Sequence, residues 1–282
     1  ASRRPGLGVT TADVVVVGGG LVGLAVAAGA AGRGASVCLI SESRTGEASA
    51  AGAGMLAPGA ESDELHGDAV LRFAVAGRDL FPAYLDALRE RTDIDVPLDR
   101  TGILELAIDC EPPAHPAGSE WIDARTLRTI EPTLAAFPGA LLHPYDGSVD
   151  NVILLQAMRR LVRSYSGVTV VAARARALDL SGARPRVLLA GDEAVEGGCV
   201  VLAGGAWVAQ LSGLPRPLPV RPVRGQMLSL GASGLRHVTY GGGGYLVPRT
   251  GGRTLVGMEN RQRNSRKIND IGAAQRRLAA RL

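Results

Sequence analysis

The chain has 282 residues, 46% of them hydrophobic, which is enough for one large core or two moderate ones. Its formal charge of +4 comes from 31 basic and 27 acidic side chains spread along the whole length, which argues against a nucleic-acid partner. The one basic cluster, Arg261, Arg263, Arg266 and Lys267, reads as a solvated loop. Cys38, Cys110 and Cys199 lie far apart, two of them inside apolar runs that resemble buried strands, so reduced core thiols and a cytoplasmic protein are expected. His66, His115, His143 and His237 show no metal-ligand spacing, and no metal is expected.

From the amino terminus, the first signal is the run Val14 to Gly32, which carries no charge and whose Gly19 and Gly23 match the small-residue spacing of membrane helix pairs. A membrane span is nevertheless rejected. Four consecutive valines, Val14 to Val17, favour a strand, the glycines behind them suit a tight turn better than a helix interior, and no cleavable signal precedes them.

Read instead as strand, turn and helix, Asp13 to Ala28 places Gly18, Gly20 and Gly23 at the spacing of a dinucleotide-binding fingerprint. The first glycine permits the turn, the second lets the backbone approach a pyrophosphate, and the third lets helix and strand pack closely. The helix amino terminus then offers free N–H groups and a favourable dipole to the phosphates. A second strand, Ala35 to Ser41, leads into Glu42, where a carboxylate can accept hydrogen bonds from a ribose diol and repel a 2′-phosphate.

Further along, Asp68 to Thr92 spaces Val70, Phe73, Ala74, Gly77, Leu80, Phe81, Tyr84, Leu85 and Leu88 as the apolar stripe of an amphipathic helix. Short alternation from Gly102 to Ala107 suggests a strand, Pro112 to Pro116 interrupts, and Val152 to Tyr165 is helical. Strands follow near Val168 to Val171 and Val187 to Leu189. The segment Gly198 to Trp207 predicts a buried strand running into a glycine turn, returning to the parallel sheet beside the first strand. Leu218 to Leu230 and Gly244 to Arg249 predict strands of a second, antiparallel sheet.

Five segments in this order, the Gly18-x-Gly20-x-x-Gly23 unit with Glu42, Ala51 to Pro58, Val201 to Trp207, Pro219 to Met227 and Gly244 to Arg249, resemble the D-amino-acid oxidase family of FAD-dependent flavoproteins, and within it the glycine oxidases of thiamine biosynthesis. The resemblance covers nearly the whole chain. It implies a mixed α/β (α+β) fold: a Rossmann-like FAD-binding domain with a parallel sheet over 12–82 and 144–212, interleaved with an antiparallel-sheet substrate domain over 83–143 and 213–282. It further implies that Gly18, Gly20, Leu21, Val22, Gly23, Glu42 and Ser43 meet the adenosine diphosphate part of FAD. Ala48, Ser49, Ala53, Gly54 and Met55 would approach the ribityl chain and flavin, Ala175 the adenine side, and Tyr245, with Met55, the substrate. Arg249 is read as structural.

The activity implied is oxidation of glycine or a similar small amine or amino acid by hydride transfer to flavin, giving an imine, with dioxygen as acceptor and hydrogen peroxide as product. In the resembling family the imine is a precursor of the thiazole ring. Because the cofactor carries the hard chemistry, no side-chain acid or base need be assigned as catalytic. A D-amino-acid or sarcosine dehydrogenase with another acceptor is the neighbouring alternative, and a flavin-free binding remnant the alternative of a different class. Assembly into a homo-oligomer is compatible with the sequence. The family's glycine-leucine-arginine-proline segment, its carboxylate-binding arginines and its final flavin-contacting turn do not occur before Leu282, Glu259 to Asn269 departs from the pattern, and the chain starts at Ala1 and stops inside a helical pattern from Ile271. A fragment lacking the last FAD-domain segment is expected.

Overall fold

The structure, a computed structural model, describes residues 10–62, 67–107, 118–191, 193–223, 225–241 and 244–258. Cys110, His66, His115, Pro112 to Pro116, Glu259 to Asn269 with its basic cluster, and the helical pattern from Ile271 lie outside them. The described residues form two compact units from interleaved stretches, 10–51, 88–94 and 152–223 in the first and 52–87, 95–151 and 225–258 in the second. Residues 52–82, expected in the domain that begins at residue 12, thus group with the second unit.

In the first unit, strand β1 (Thr10–Val17) leads through a three-glycine turn into helix α1 (Leu21–Ala31) and back into strand β2 (Val37–Ile40). β1 is flanked by β2 and by Ala194–Leu202, and Val168–Val171 lies beyond β2, all four strands parallel. Arg186–Leu189 and Ala175–Asp179 extend the sheet antiparallel on the other side. Successive residues Val15 and Val16 are both fully buried, as are Cys38 and, to within 2%, Val37, Leu39 and Ile40, the pattern of strands covered on both faces. Each such side chain contributes roughly 1.5–3 kcal/mol over its exposed state. At the start of β1, Asp13 accepts from the Ser36 backbone N–H at 2.8 Å and the Ser36 hydroxyl at 2.7 Å, holding the register of β1 against β2. Burial pushes the Cys38 thiol up to about 11, so it is an inert core group.

Three expectations need correction. Cys199 pairs with Val14 within the sheet, yet it is exposed: the strand alternates its faces, and beyond buried Val195 and Gly197 its face is not covered by the described residues. The helix Asp68–Thr92 has the expected bounds, but of its apolar stripe only Leu85 and Leu88 are buried, whereas Phe73 is 81% exposed and Leu80 67%. The stretch predicted as strand from Leu218 forms one only at Met227–Leu230, because Pro219 and Pro222 interrupt the supply of backbone donors.

The second unit is built on a seven-stranded sheet in the order Met227–Leu230, Arg253–Met258, Gly244–Arg249, Val238–Gly241, Ile103–Leu106, Gly139–His143 and Glu120–Asp123. Every pairing is antiparallel except that of Val238–Gly241 with Ile103–Leu106. A three-stranded sheet joins Met55–Leu56, Gly147–Val149 and Leu98–Asp99. Leu104, Leu127, Leu134, Ala140 and Leu246 form the core beneath the large sheet. Glu131, ending the helix Ala124–Ile130, is buried there, and its Oε1 accepts from the backbone N–H groups of Arg236 at 2.7 Å and His237 at 2.6 Å, with His237 Nδ1 at 2.8 Å. Among the described residues no helix is long and apolar enough to cross a membrane.

Candidate functional site

A groove of about 740 Å³ opens in the first unit where β1, β2 and the returning strand Ala194–Leu202 end. Its floor is the turn Gly18 to Gly20, and its walls include Val22, Glu42, Ala48, Ser49, Ala175 and the turn from Ala203 to Trp207. The location follows from topology: ligands of open α/β sheets bind beyond the carboxyl ends of the parallel strands. Gly18 adopts a φ of +117°, and a Cβ there would collide with the backbone of Ala203, so the turn requires glycine twice over. A Cβ on Gly23 would meet the Gly18 carbonyl, which is the helix–turn packing that the spacing predicts. At Gly20 the space a Cβ would take is held by the Ser49 hydroxyl at 2.8 Å, and that hydroxyl accepts from the Leu21 N–H at 3.0 Å.

Leu21 opens α1, so its first-turn N–H groups, with the positive end of the helix dipole, lie at the groove. Across it, Glu42 is an exposed carboxylate whose Oε2 accepts from Arg44 Nε at 3.2 Å, and Ser43 is exposed beside it. The Arg44 backbone N–H donates to Glu47 at 2.7 Å, and its guanidinium lies 5.3 Å from the centre of the Trp207 ring. Backbone donors without obstructing side chains, a helix terminus and a carboxylate facing the same groove fit the pyrophosphate and ribose of a dinucleotide. The FAD of this fold family fits that donor set through its adenosine diphosphate part.

Other sequence-derived residues lie in the second unit. Ala53, Gly54 and Met55 form one short turn, in which Gly54 has a φ of +63° and a Cβ would strike the Val149 carbonyl. Arg249 holds this turn from the end of its strand, donating to the Ala53 carbonyl at 2.5 Å, the Val149 carbonyl at 3.0 Å and Asn151 Oδ1 at 3.1 Å. Its guanidinium is spent on internal acceptors, and burial holds it below the usual arginine range. Tyr245 is half-buried, and burial, reinforced by the negative charge of Glu61, raises its phenol above the ordinary value. Tyr240 stacks on it with ring centres 6.3 Å apart and planes 8° from parallel.

A glycine fingerprint over a groove at the carboxyl edge of a parallel sheet, with an acidic residue closing the second strand, defines a dinucleotide-binding α/β protein. The particular family follows from direct comparison: residues 13–282 match the FAD dependent oxidoreductase (DAO) family, and the chain belongs to it. A bifunctional ThiO/ThiG protein of a Synechocystis strain is 32% identical over 268 residues, 90% of this chain and 39% of that protein. The glycine oxidase of Geobacillus kaustophilus is 32% identical over 274 residues, 87% of this chain and 69% of that protein. A crystal structure of glycine oxidase from the same organism superposes with a TM-score of 0.77 at 27% identity, covering 88% of this chain and 71% of the other. An iminodiacetate oxidase from Chelativorans shares the fold with a TM-score of 0.71. The chain therefore spans well under half of the bifunctional relative and about seven tenths of the glycine oxidase.

Several groove residues escaped the sequence reading: Arg44, Glu47, Arg174, Arg176, Trp207 and Gln210 line it as well. For Trp207 a signal existed, since a turn directly after a strand of the parallel sheet must face the ligand edge. Arg174 and Arg176 flank Ala175 and carried no such signal.

Proposed function

We propose that the chain is the nucleotide-holding and substrate-facing part of a cytoplasmic FAD-dependent oxidoreductase acting on glycine or a similar small amine. The groove carries this reading: Gly18, Gly20, Glu42 and Ala175, distant in sequence, line a single groove in a chain of the DAO family. When bound, FAD would supply two-electron oxidation of the amine carbon to an imine, with dioxygen as terminal acceptor and hydrogen peroxide as product.

The chain's own residues bind and orient. Glu42 would accept from the adenosine ribose hydroxyls, and the N–H groups of the Gly18 to Val22 turn would hold the diphosphate, that of Leu21 only on release from the Ser49 hydroxyl, with Gly23 keeping α1 close enough to present them. Leu21 and Val22 open the helix, while Ser43, Ala48 and Ser49 complete that side. Ala53, Gly54 and Met55 would offer backbone and a thioether to the flavin edge, and Tyr245 its phenol to the substrate. Arg249 stiffens the Ala53 to Met55 turn and leaves the substrate carboxylate to other groups. The first unit is thus assigned to the adenosine diphosphate part of FAD and the second to the flavin edge and the substrate, and the imine would serve a thiazole-forming step, in keeping with the thiamine-pathway names of the relatives.

Flavin titration tests the reading. The complete protein should take up FAD with a band near 450 nm and release peroxide on addition of glycine. Glu42→Ala should weaken FAD binding by about 1.5–3 kcal/mol, the worth of a hydrogen bond to a charged group. Unchanged affinity in that variant removes Glu42 from the site, and dye reduction without oxygen consumption replaces dioxygen by another acceptor.

A further inference from the structure

Tyr245 faces Gly257 directly across the antiparallel pair of Gly244–Arg249 and Arg253–Met258. A Cβ built on Gly257 would run into the Tyr245 ring at Cζ, Cε2 and the hydroxyl. The phenol therefore lies flat across the neighbouring strand, over the Gly257 backbone, instead of standing off the sheet. From the opposite side Tyr240, the cross-strand partner of Tyr245 in the Val238–Gly241 pairing, lays its own ring nearly parallel. Gly257 has no left-handed backbone angle that would demand glycine. Glycine inside a strand costs conformational entropy and forgoes a side chain to pack, so the residue is unfavourable on local grounds. What it permits is the position of the ring.

We infer that Gly257 is a positioning residue: its missing side chain lets the Tyr245 phenol lie across the sheet and sets where the hydroxyl meets a small amine or amino-acid substrate. The inference rests on the proposed substrate-facing role of Tyr245. An alanine at this position would lift the ring by the thickness of a methyl group and swing the hydroxyl away from its place over Gly257. The same alanine without the ring would be harmless, and it would favour the strand.

That reversal is the test. Gly257→Ala is made in the wild-type, Tyr245→Phe and Tyr245→Ala backgrounds of the complete, FAD-loaded protein, and each variant is read by thermal melting and by kinetics with glycine. With a ring present, as in the wild type and Tyr245→Phe, Gly257→Ala should lower the melting temperature by about 4 °C or more. In Tyr245→Ala it should leave the melting temperature unchanged or raise it. KM for glycine should rise about tenfold in Gly257→Ala with kcat held within about twofold, the signature of misplaced binding. An equal melting shift in all three backgrounds overturns the inference, because the ring would then not be what the glycine accommodates. A reversal in melting with KM unmoved in every variant, Tyr245→Phe included, overturns the substrate role of the ring and with it the positioning role. Absence of glycine turnover in the unaltered complete protein breaks the functional reading, and the melting arm still decides whether Gly257 seats the ring.

Discussion

Glu42 and Glu131 are single carboxylates beside a cationic or imidazole partner, one in each unit, and they are held in opposite ways. Glu42 is 45% exposed, meets Arg44 at 3.2 Å and leaves most of its hydrogen-bonding capacity facing the groove. Glu47 and Arg159 are looser still at 3.9 Å. Exposed pairs of this kind contribute at most about 1 kcal/mol to folding. Glu131 is fully buried and accepts two backbone N–H groups, and Asp146, 1% exposed, accepts from the N–H groups of Gly59 and Ala60 and from Arg78 at 2.8–2.9 Å. A surface that receives a polar ligand must leave its groups unspent, whereas a frame that fixes loop geometry spends them on internal donors, as Glu131 Oε1 and both oxygens of Asp146 do, while Glu131 Oε2 has no partner among the described residues. Arg249 belongs to the second kind, which is why its half-buried guanidinium beside the Ala53 to Met55 turn is not a free anion anchor.

The comparison can be broken most severely in the groove. Gly20→Val would force a branched side chain into the space held by the Ser49 hydroxyl, displacing the cap on the Leu21 N–H and narrowing the floor. The expected outcome is a protein that folds, by circular dichroism, but emerges colourless and shows no 450 nm band on titration with FAD. A yellow Gly20→Val protein would remove the glycine turn from the binding surface.

Next in size is the clamp in the second unit. Arg249→Met removes the donor to two carbonyls and an amide oxygen, and about 3 kcal/mol of stability should go with it in denaturant melts. Arg249→Lys, a point charge with a shorter reach, should recover only part of the loss. Wild-type stability in the methionine variant would mean that the turn is held without the guanidinium.

The smallest effect sharpens the contrast between the two glutamates. Burial pushes the Glu131 carboxyl upward, but hydrogen bonds from the His237 side chain and from the backbone of His237 and Arg236 outweigh it and hold the group below its ordinary value of 4.5. A carboxyl depressed in the folded state stabilises fully above the unfolded value and loses that contribution as pH falls through the depressed one. Glu131→Gln should therefore cost about 2 kcal/mol near neutral pH. The difference between the two proteins should shrink as pH falls below 4.5. A gap that stays constant into acid would show that Glu131 acts through packing and not through its charge.

Legibility in the sequence divides along the same line. The nucleotide groove is assembled from local signals: Val14 to Val17 favour a strand wherever they stand, and the spacing of Gly18, Gly20 and Gly23 dictates a turn into a helix. Glu42 lies just past the end of the very next strand. The return of Ala194–Leu202 beside β1 could be anticipated as well, because the apolar run Cys199 to Leu202 before a glycine turn suits a parallel strand, although Gly198 and Cys199 are exposed among the described residues. Family likeness then supplied Ala53 to Met55 and Tyr245, residue types that have no chemical signature of their own.

What the residues by themselves determined is therefore periodicity and local backbone choice, since these depend on neighbours a few positions away. Tertiary structure alone decided the rest. Arg249 reaches an acceptor 196 positions earlier, and Glu131 receives donors about a hundred positions later, pairings that no local pattern encodes. It also decided that the apolar face carrying Phe73 and Leu80 stays exposed among the described residues, and that Cys199 lies on an open face of its sheet. Periodicity states which side chains share a face, while burial depends on which distant segment arrives to cover it. For the same reason Gly257 reads in sequence as a weak point in a strand, and only the ring of Tyr245 lying across it shows what the missing side chain is for.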